Sequence, residues 1–449
     1  MQGAFMILKP KICVVFTSIE GIDADQHVLE KYKETVIKSL GPKYFDSHMI
    51  DFIVSNNEYA QKANKIIKEK NPDLLFITAA VWTPDTTVIR LIEGIEAPII
   101  LFTTTLTPYT LGLNGAQLVA STLKELVKDF IFIFGDINDA SVFKKIYDFA
   151  MAAALAEKVK NLKIGVIGGR LSIMTNLAVD EYGLKKVIGS TVVPIDFSSM
   201  NEFIDSVNTK NVDKRVLSIK KSVKNISIDS PILAESVRYY FAFMDIVKYY
   251  GLDALAVNCY PHPYIKAKTC LALSNMNDAG ITAACESDVN SAILMYMLKS
   301  VSGKSSLNSD LICEDTAKNS IMFSHCGCGP FSCAESYDDI RLEEHFEVKS
   351  GMAVYYPLKK SGLDTTIVNL VGRENTFRLC ALKGKTIPTI DTAYKGNPVT
   401  VKFKMDVTEL INLIGNEGFG HHWMVSFGNY SGIFEYFCRL KNIQSLFIE

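Results

Sequence analysis

Glu286 and Asp310, with the dipeptide His421-His422 far downstream, are the residues of this chain whose types best suit catalysis. Two carboxylates and an imidazole are hard-to-borderline ligands. They suit an octahedral Mn²⁺ or Mg²⁺ that must also hold substrate oxygens. Glu286 closes the apolar run 281–285 and opens the helix-like stretch 288–301, and Asp310 follows the next polar turn. That setting places Glu286 at the carboxyl end of a buried strand, where open α/β sheets bind ligands. The structural alternative is an acid favoured by the dipole of a helix start, with Asp310 a solvated turn residue. Asp288 and Asn290 read as helix caps or as supports for the ligands.

The histidine pair lies between Gly418-Phe419-Gly420 and the strand-like run 423–427. Adjacent side chains of a strand point to opposite faces, so at most one of the two is expected to reach a given metal. His325-Cys326-Gly327-Cys328, with Cys333 beyond, has one Cys-x-Cys and no second pair, short of a four-ligand framework. Its apolar approach reads instead as a strand entering a Gly-rich loop that lines a pocket, with His325 a candidate for touching metal or substrate. Asn258, Tyr260 and His262 follow the strand 254–257, in a loop whose Pro261 and Pro263 hold it extended. Their polar groups could face a sugar or simply build a turn. Arg170 and Trp82 are weaker candidates of the same kind.

The elements that must position these residues alternate. Strand-like 12–16, 74–77, 99–103 and 130–134 interleave with helical 30–40, 87–93 and 114–127, a parallel-sheet pattern. A second unit is expected after the Ala-rich helix 142–160, with strands at 163–167, 192–195, 254–257 and 281–285. Gly168-Gly169 lacks the spacing of a dinucleotide fingerprint and reads as a strand-to-helix turn. After about residue 350, short β-rich runs between Gly, Asp and Lys turns suit a small antiparallel barrel or sandwich. The expected fold is α/β: two Rossmann-like α/β domains with parallel sheets, residues 1–160 and 161–349, then a small barrel-like β-rich domain, 350–449.

With 449 residues and a formal net charge of −2, the chain is long enough for two or three cores and has no basic stripe for nucleic acid and no polybasic membrane patch. Its apolar runs are strand-sized, far short of the roughly 20 residues of a membrane span, and its start lacks the pattern of a signal peptide. Ten scattered cysteines, several in apolar segments, fit a reducing cytoplasm.

At these residues the chain resembles the L-fucose isomerase and L-arabinose isomerase superfamily, most of all the fucose-isomerase-related proteins. The segment Cys285-Glu286-Ser287-Asp288-Val289-Asn290, then Ala292-Ile293-Leu294-Met295, Ser302-Gly303 and Asp310, resembles the fucose isomerase order of Glu, helix, Ser-Gly turn and Asp, without a gap. Gly418-Phe419-Gly420-His421-His422 resembles the C-terminal histidine motif. Weaker likeness runs through Gly112-Leu113-Asn114-Gly115, Phe134-Gly135-Asp136, Gly168-Gly169-Arg170 and residues 256–261.

The resemblance implies two α/β domains and a β-rich third, a homo-oligomer (trimer or hexamer), and a small-molecule sugar substrate. It also implies Mn²⁺, or another divalent cation such as Mg²⁺ or Co²⁺. The implied activity is interconversion of an aldose and a ketose, a pentose or 6-deoxyhexose, through an enediol. Glu286 and Asp310 would be both ligands and proton-transfer groups, and His422 the third ligand. His325 stands where arabinose isomerases use a further histidine. Asn258, Tyr260 and His262 would hydrogen-bond hydroxyls. The chain departs from the pattern in being shorter, with the interval from Asp310 to His422 compressed. Two rivals stand beside this reading. One is a non-catalytic sugar-binding or regulatory protein. The other is a metal-dependent enzyme on a phosphorylated or sulfonated sugar, for which basic residues near the pocket would be evidence.

Overall fold

The structure is a computed structural model that describes residues 6–19, 26–227, 230–260, 267–347, 351–374, 376–389 and 394–449. Two compact units are formed, Leu8–Glu157 and a second of Met1–Ile7 with Lys158–Glu449. The first contains strands β1 (Lys11–Phe16), β2 (Asp46–Met49), β3 (Leu74–Thr78), β4 (Ile99–Thr103) and β5 (Phe130–Phe134). They make one parallel sheet in the order β2-β1-β3-β4-β5. Every residue of β3 and β4 is buried. Helices on both faces of a parallel sheet demand just such uninterrupted apolar strands.

The second unit holds a parallel sheet of β6 (Lys163–Ile167), β7 (Thr191–Ile195), β9 (Ala254–Val257) and β10 (Thr282–Cys285), ordered β10-β9-β6-β7. The short β8 (Asn225–Ile226) lies outside it, pairing with β13 (Arg341–Glu344), which in turn pairs with β14 (Met352–Tyr355). The carboxyl ends of β6, β9 and β10 lead into Gly168, Asn258 and Glu286. They are tied together by Asn258 N–H donating to the Ile167 carbonyl and Ser287 N–H donating to that of Val257, both at 3.0 Å.

The β-rich part is a closed barrel. Its strands are β11 (Leu307–Asp315), β12 (Ser320–Ser324), β15 (Asp364–Val371), β16 (Arg378–Ile387), β17 (Val399–Lys402) and β18 (His422–Phe427). The antiparallel ring runs β15-β18-β11-β12-β17-β16 and returns through a β16–β15 pairing, with β19 (Gln444–Ile448) added in parallel to β16. Closure removes exposed edges. One register matters for the site: Asp310 pairs with His422 on one side and with Ser324 on the other. Directly paired residues of neighbouring strands present their side chains to the same face. Asp310 is therefore a strand residue beside His422, and His325 follows Ser324. No helix among the described residues is long and apolar enough to cross a membrane.

Candidate functional site

Glu286 leaves β10 with φ of +60°, and Ser287 continues at +56°. Left-handed backbone at two successive non-glycine residues is costly and is kept where the site requires it. The turn ends on Asp288, which caps the helix Val289–Ser302 by accepting from Ser291 N–H at 3.1 Å and from the Ser291 hydroxyl at 2.6 Å. Asp288 Oδ2 also accepts from His422 Nδ1 at 2.7 Å, both groups being buried. A carboxylate behind a histidine holds the ring with its proton on Nδ1, leaving the Nε2 lone pair free to ligate.

His422 Nε2 lies 3.3 Å from Glu286 Oε2 and 3.9 Å from Asp310 Oδ1. His325 Nε2 lies 4.0 Å from Glu286 Oε1, 3.9 Å from Asp310 Oδ2 and 3.5 Å from His422 Nε2. None of these carboxylate approaches has hydrogen-bond alignment, and Glu286 Oε2 and Asp310 Oδ1 are buried without a hydrogen-bond partner among the described residues. Two such oxygens beside two imidazoles form a donor set that fits a divalent cation. Glu286 groups with His421 and His422, and Asp310 with His325 and His422, each set within 4.8 Å.

The electrostatics agree with that grouping. Burial opposes ionisation of Glu286, but the imidazoles of His421, His422 and His325 outweigh it and hold the carboxyl well below the usual range. Burial likewise opposes a charge on His422, yet Asp288 and Glu286 push its pKa up to about 10. Without a cation, the site is thus a buried cluster of ion pairs.

The structure brings Glu286, Asp310, His422 and His325 together. Of the other candidates, Asn258 donates to the Gly168 and Gly169 carbonyls at 3.3 and 3.4 Å and thereby braces the strand-end turn. Tyr260 lies 4.6 Å, ring centroid to Nζ, beneath the Lys268 ammonium. Arg170 donates to the Leu171 carbonyl at 2.7 Å. Trp82 belongs to the Leu8–Glu157 unit, where its indole N–H donates to Asn114 Oδ1 at 2.9 Å. His262 lies outside the described residues.

Three further residues take part. His421 precedes β18, so strand alternation does not separate it from His422, and its Nε2 comes within 3.8 Å of Glu286 Oε2. Asp288 was visible in the sequence as a cap or a support for the ligands, but which ligand it supports, His422, was not. Asn369 donates to the His422 and Gly420 carbonyls at 2.6 and 2.9 Å, pinning the segment that carries both histidines. No local motif announces that role, because it depends on β15 lying next to β18. A cavity of about 570 Å³ touches Asp288, His421 and His422 and is bordered by Asn176, Arg373 and Arg378. Arg378 is fixed there by a 2.6 Å hydrogen bond to the Glu417 carbonyl and by the ring of Phe419.

No family model matches the chain. It is 22% identical over 441 residues to a protein named sulfoquinovose isomerase from Priestia aryabhattai, covering 96% of this chain and 98% of that one. Proteins of the same name from Alkalicoccus urumqiensis and Clostridium sp. (strain MSTE9) are 24% and 26% identical over 341 and 325 residues. Those matches cover 75% and 71% of this chain and 76% and 72% of the relatives. Along nearly its whole length, then, the chain is similar to proteins named as isomerases of a sugar.

Proposed function

We propose that the chain is a metal-dependent aldose–ketose isomerase whose cation is held by Glu286, Asp310 and His422. The observation that carries this reading is the pair of buried, unpartnered carboxylate oxygens that both lie within 3.9 Å of His422 Nε2. A bound Mn²⁺ or similar ion would supply positive charge for the oxyanion that develops as the carbon acid beside the carbonyl loses its proton. The chain's own residues do the rest. Glu286, kept ionised by its imidazole neighbours, is suited to accept a proton. Asp310, on the adjacent strand, is suited to the complementary proton transfer, so that a hydrogen leaves one of C1 and C2 and returns to the other through an enediol. Asp288 keeps His422 oriented throughout.

The substrate we infer is an aldose with an anionic substituent rather than a neutral pentose or 6-deoxyhexose. The relatives' name supports this, since sulfoquinovose is a sulfonated aldose. So does the placing of Arg373 and Arg378 on the cavity that reaches His421 and His422. Arginine is well suited to a planar or tetrahedral oxyanion group.

The test is to strip the protein of metal, add Mn²⁺, and follow ketose formation from sulfoquinovose, L-fucose and L-arabinose. Turnover of sulfoquinovose that is lost in Glu286→Gln is expected. Absence of any ketose from metal-loaded protein would overturn the isomerase reading. Preference for a neutral sugar would overturn only the choice of substrate.

A further inference from the structure

A second cavity, of about 1130 Å³, lies in the unit that holds the candidate site and shares no lining residue with the cavity that reaches His422. Gly303 ends the helix that Asp288 begins, and Phe427 ends the strand that His422 begins. A six-residue strand spans about 17 Å, so the two cavities lie toward opposite ends of the same elements. No sequence motif points to this one. Arg215 comes from the helix Thr209–Ser222, Tyr240 from Ser230–Tyr250, Asn275 and Asp278 from Cys270–Asp278, and Lys304 and Lys360 from turns far apart in the chain.

The ionised groups on its wall are unequally occupied. Three carboxylates, Asp278, Glu335 and Asp364, stand against three cations, Arg215, Lys304 and Lys360. Every carboxylate is engaged. Asp278 accepts from the backbone N–H groups of Phe331 and Ser332 at 2.8 and 3.0 Å, Glu335 accepts from that of Lys360, and Asp364 pairs with Lys385 at 3.3 Å. Among the described residues, none of the three cations forms an ion pair.

Arg215, half-buried, is the preorganised part of the site. Its Nη2 donates to Oδ1 of Asn275, a side chain only 2% exposed that is itself oriented by donating from Nδ2 to the Leu271 carbonyl at 2.8 Å. The guanidinium carbon lies 5.7 Å from the centre of the Tyr240 ring. Nε is buried with no hydrogen-bond partner among the described residues, so an amide and a ring, not a counter-charge, hold this cation in place. A guanidinium fixed in that way keeps its charge for an anion and suits a tetrahedral oxyanion. Phe331 and Tyr337, with ring centroids 6.0 Å apart, add an apolar wall. Aromatic and apolar lining with a few convergent polar groups is the usual make-up of a small-molecule site.

We propose that this cavity binds a small organic anion: a sugar-sized body that carries a phosphate or sulfonate group. The oxyanion meets Arg215, Lys304 and Lys360, and the body packs on Phe331 and Tyr337. Lys304 and Lys360 are long, exposed side chains that swing onto an oxyanion fixed by Arg215. The site is separate from the isomerase centre and does not depend on that activity.

The experiment titrates the full chain by calorimetry with inorganic phosphate, glucose 6-phosphate, sulfoquinovose and, as the neutral control, glucose. Glucose 6-phosphate should bind about tenfold or more tighter than glucose, with inorganic phosphate competing. Lys304→Glu and Lys360→Glu should each weaken glucose 6-phosphate by about tenfold or more, whereas Lys304→Arg keeps it within about threefold. Arg378→Ala, on the other cavity, should leave it unchanged. Both lysines are exposed, and circular dichroism checks that each variant folds. Sulfoquinovose that still binds Arg378→Ala, and is lost with Lys304→Glu added, makes sulfonates occupants too; its failure to bind there leaves phosphates as the occupant. Equal affinity for glucose and glucose 6-phosphate would overturn the proposal. So would no binding of glucose 6-phosphate at about 10 mM, or binding that Arg378→Ala removes and Lys304→Glu leaves intact. Glu286→Gln separates this site from the isomerase reading: it should abolish turnover and leave glucose 6-phosphate binding unchanged.

Discussion

Replacing Asp288 by Asn tests the proposed support of His422 at one pair of atoms. Asp288 Oδ1 accepts from Ser291 N–H at 3.1 Å, while Oδ2 accepts from the Ser291 hydroxyl at 2.6 Å and from His422 Nδ1 at 2.7 Å. Asparagine has one acceptor oxygen, and the helix cap claims it, because Asn serves at an N-cap about as well as Asp. The amide NH₂ is then left facing His422 Nδ1. That nitrogen must become an acceptor, which moves the ring proton to Nε2, the atom needed for the metal. Losing such a supporting carboxylate costs about 10–100-fold in metal affinity, or about 1.4–2.7 kcal/mol. The cap is kept, but the metal-free fold loses the buried Asp288–His422 ion pair and should be destabilised by about 3 kcal/mol. The assay is Mn²⁺ affinity by competition with a calibrated chelator, beside thermal unfolding of the metal-free protein. An Asp288→Asn protein that binds Mn²⁺ within twofold of wild type, with unchanged turnover, would refute the tautomer argument. A large fall in melting temperature with normal affinity would show that Asp288 matters to the fold and not to the metal.

Other outcomes follow from the same geometry. Metal uptake should release a proton from His422 at pH values below about 10, since its pKa is raised to about 10 without a cation. Apparent Mn²⁺ affinity should thus climb by up to ~10-fold per pH unit across that window, measurable by calorimetry in buffers of different ionisation enthalpy. By the same sign, the protonated His422 contributes stability to the metal-free fold that is fully present below pH 6.5 and lost as pH rises through about 10. Asp288, whose pKa is lowered from 3.8, contributes stability present above that value and lost on acidification, the same ion pair seen from its other side. Ser287→Gly relieves a φ of +56° at the cost of a more flexible unfolded chain, so a net gain of up to about 1 kcal/mol with turnover preserved is expected from denaturant titration. Arg373→Ala and Arg378→Ala should raise KM for a sulfonated aldose by about tenfold or more while sparing a neutral one, as steady-state kinetics will show.

Much of the fold was legible in the chain. The parallel sheets were readable because strands covered on both faces must be apolar throughout, as 74–77 and 99–103 are. Glu286 could be placed at a strand end because an apolar run stops there and a capped helix starts. Asp310 was harder, since a lone acid after a polar turn has the same local signature whether it is solvated or catalytic. Likewise, strand alternation allowed at most one of His421 and His422 at a metal and the resemblance chose His422, whereas His421 precedes the strand and also comes near Glu286.

What the sequence determined by itself was the inventory of groups and the local elements, because propensity, periodicity and capping act over a few residues. What tertiary structure decided was convergence. The β11–β18 register sets Asp310 beside His422, the turn after β10 carries Glu286 and Asp288 to that same histidine, and Cys285 meets Cys326 across two sheets. The first of those meetings joins barrel strands more than a hundred residues apart in the chain. The physical reason is that non-local pairing is selected by burial and closure of the whole fold, and no short stretch of residues encodes it.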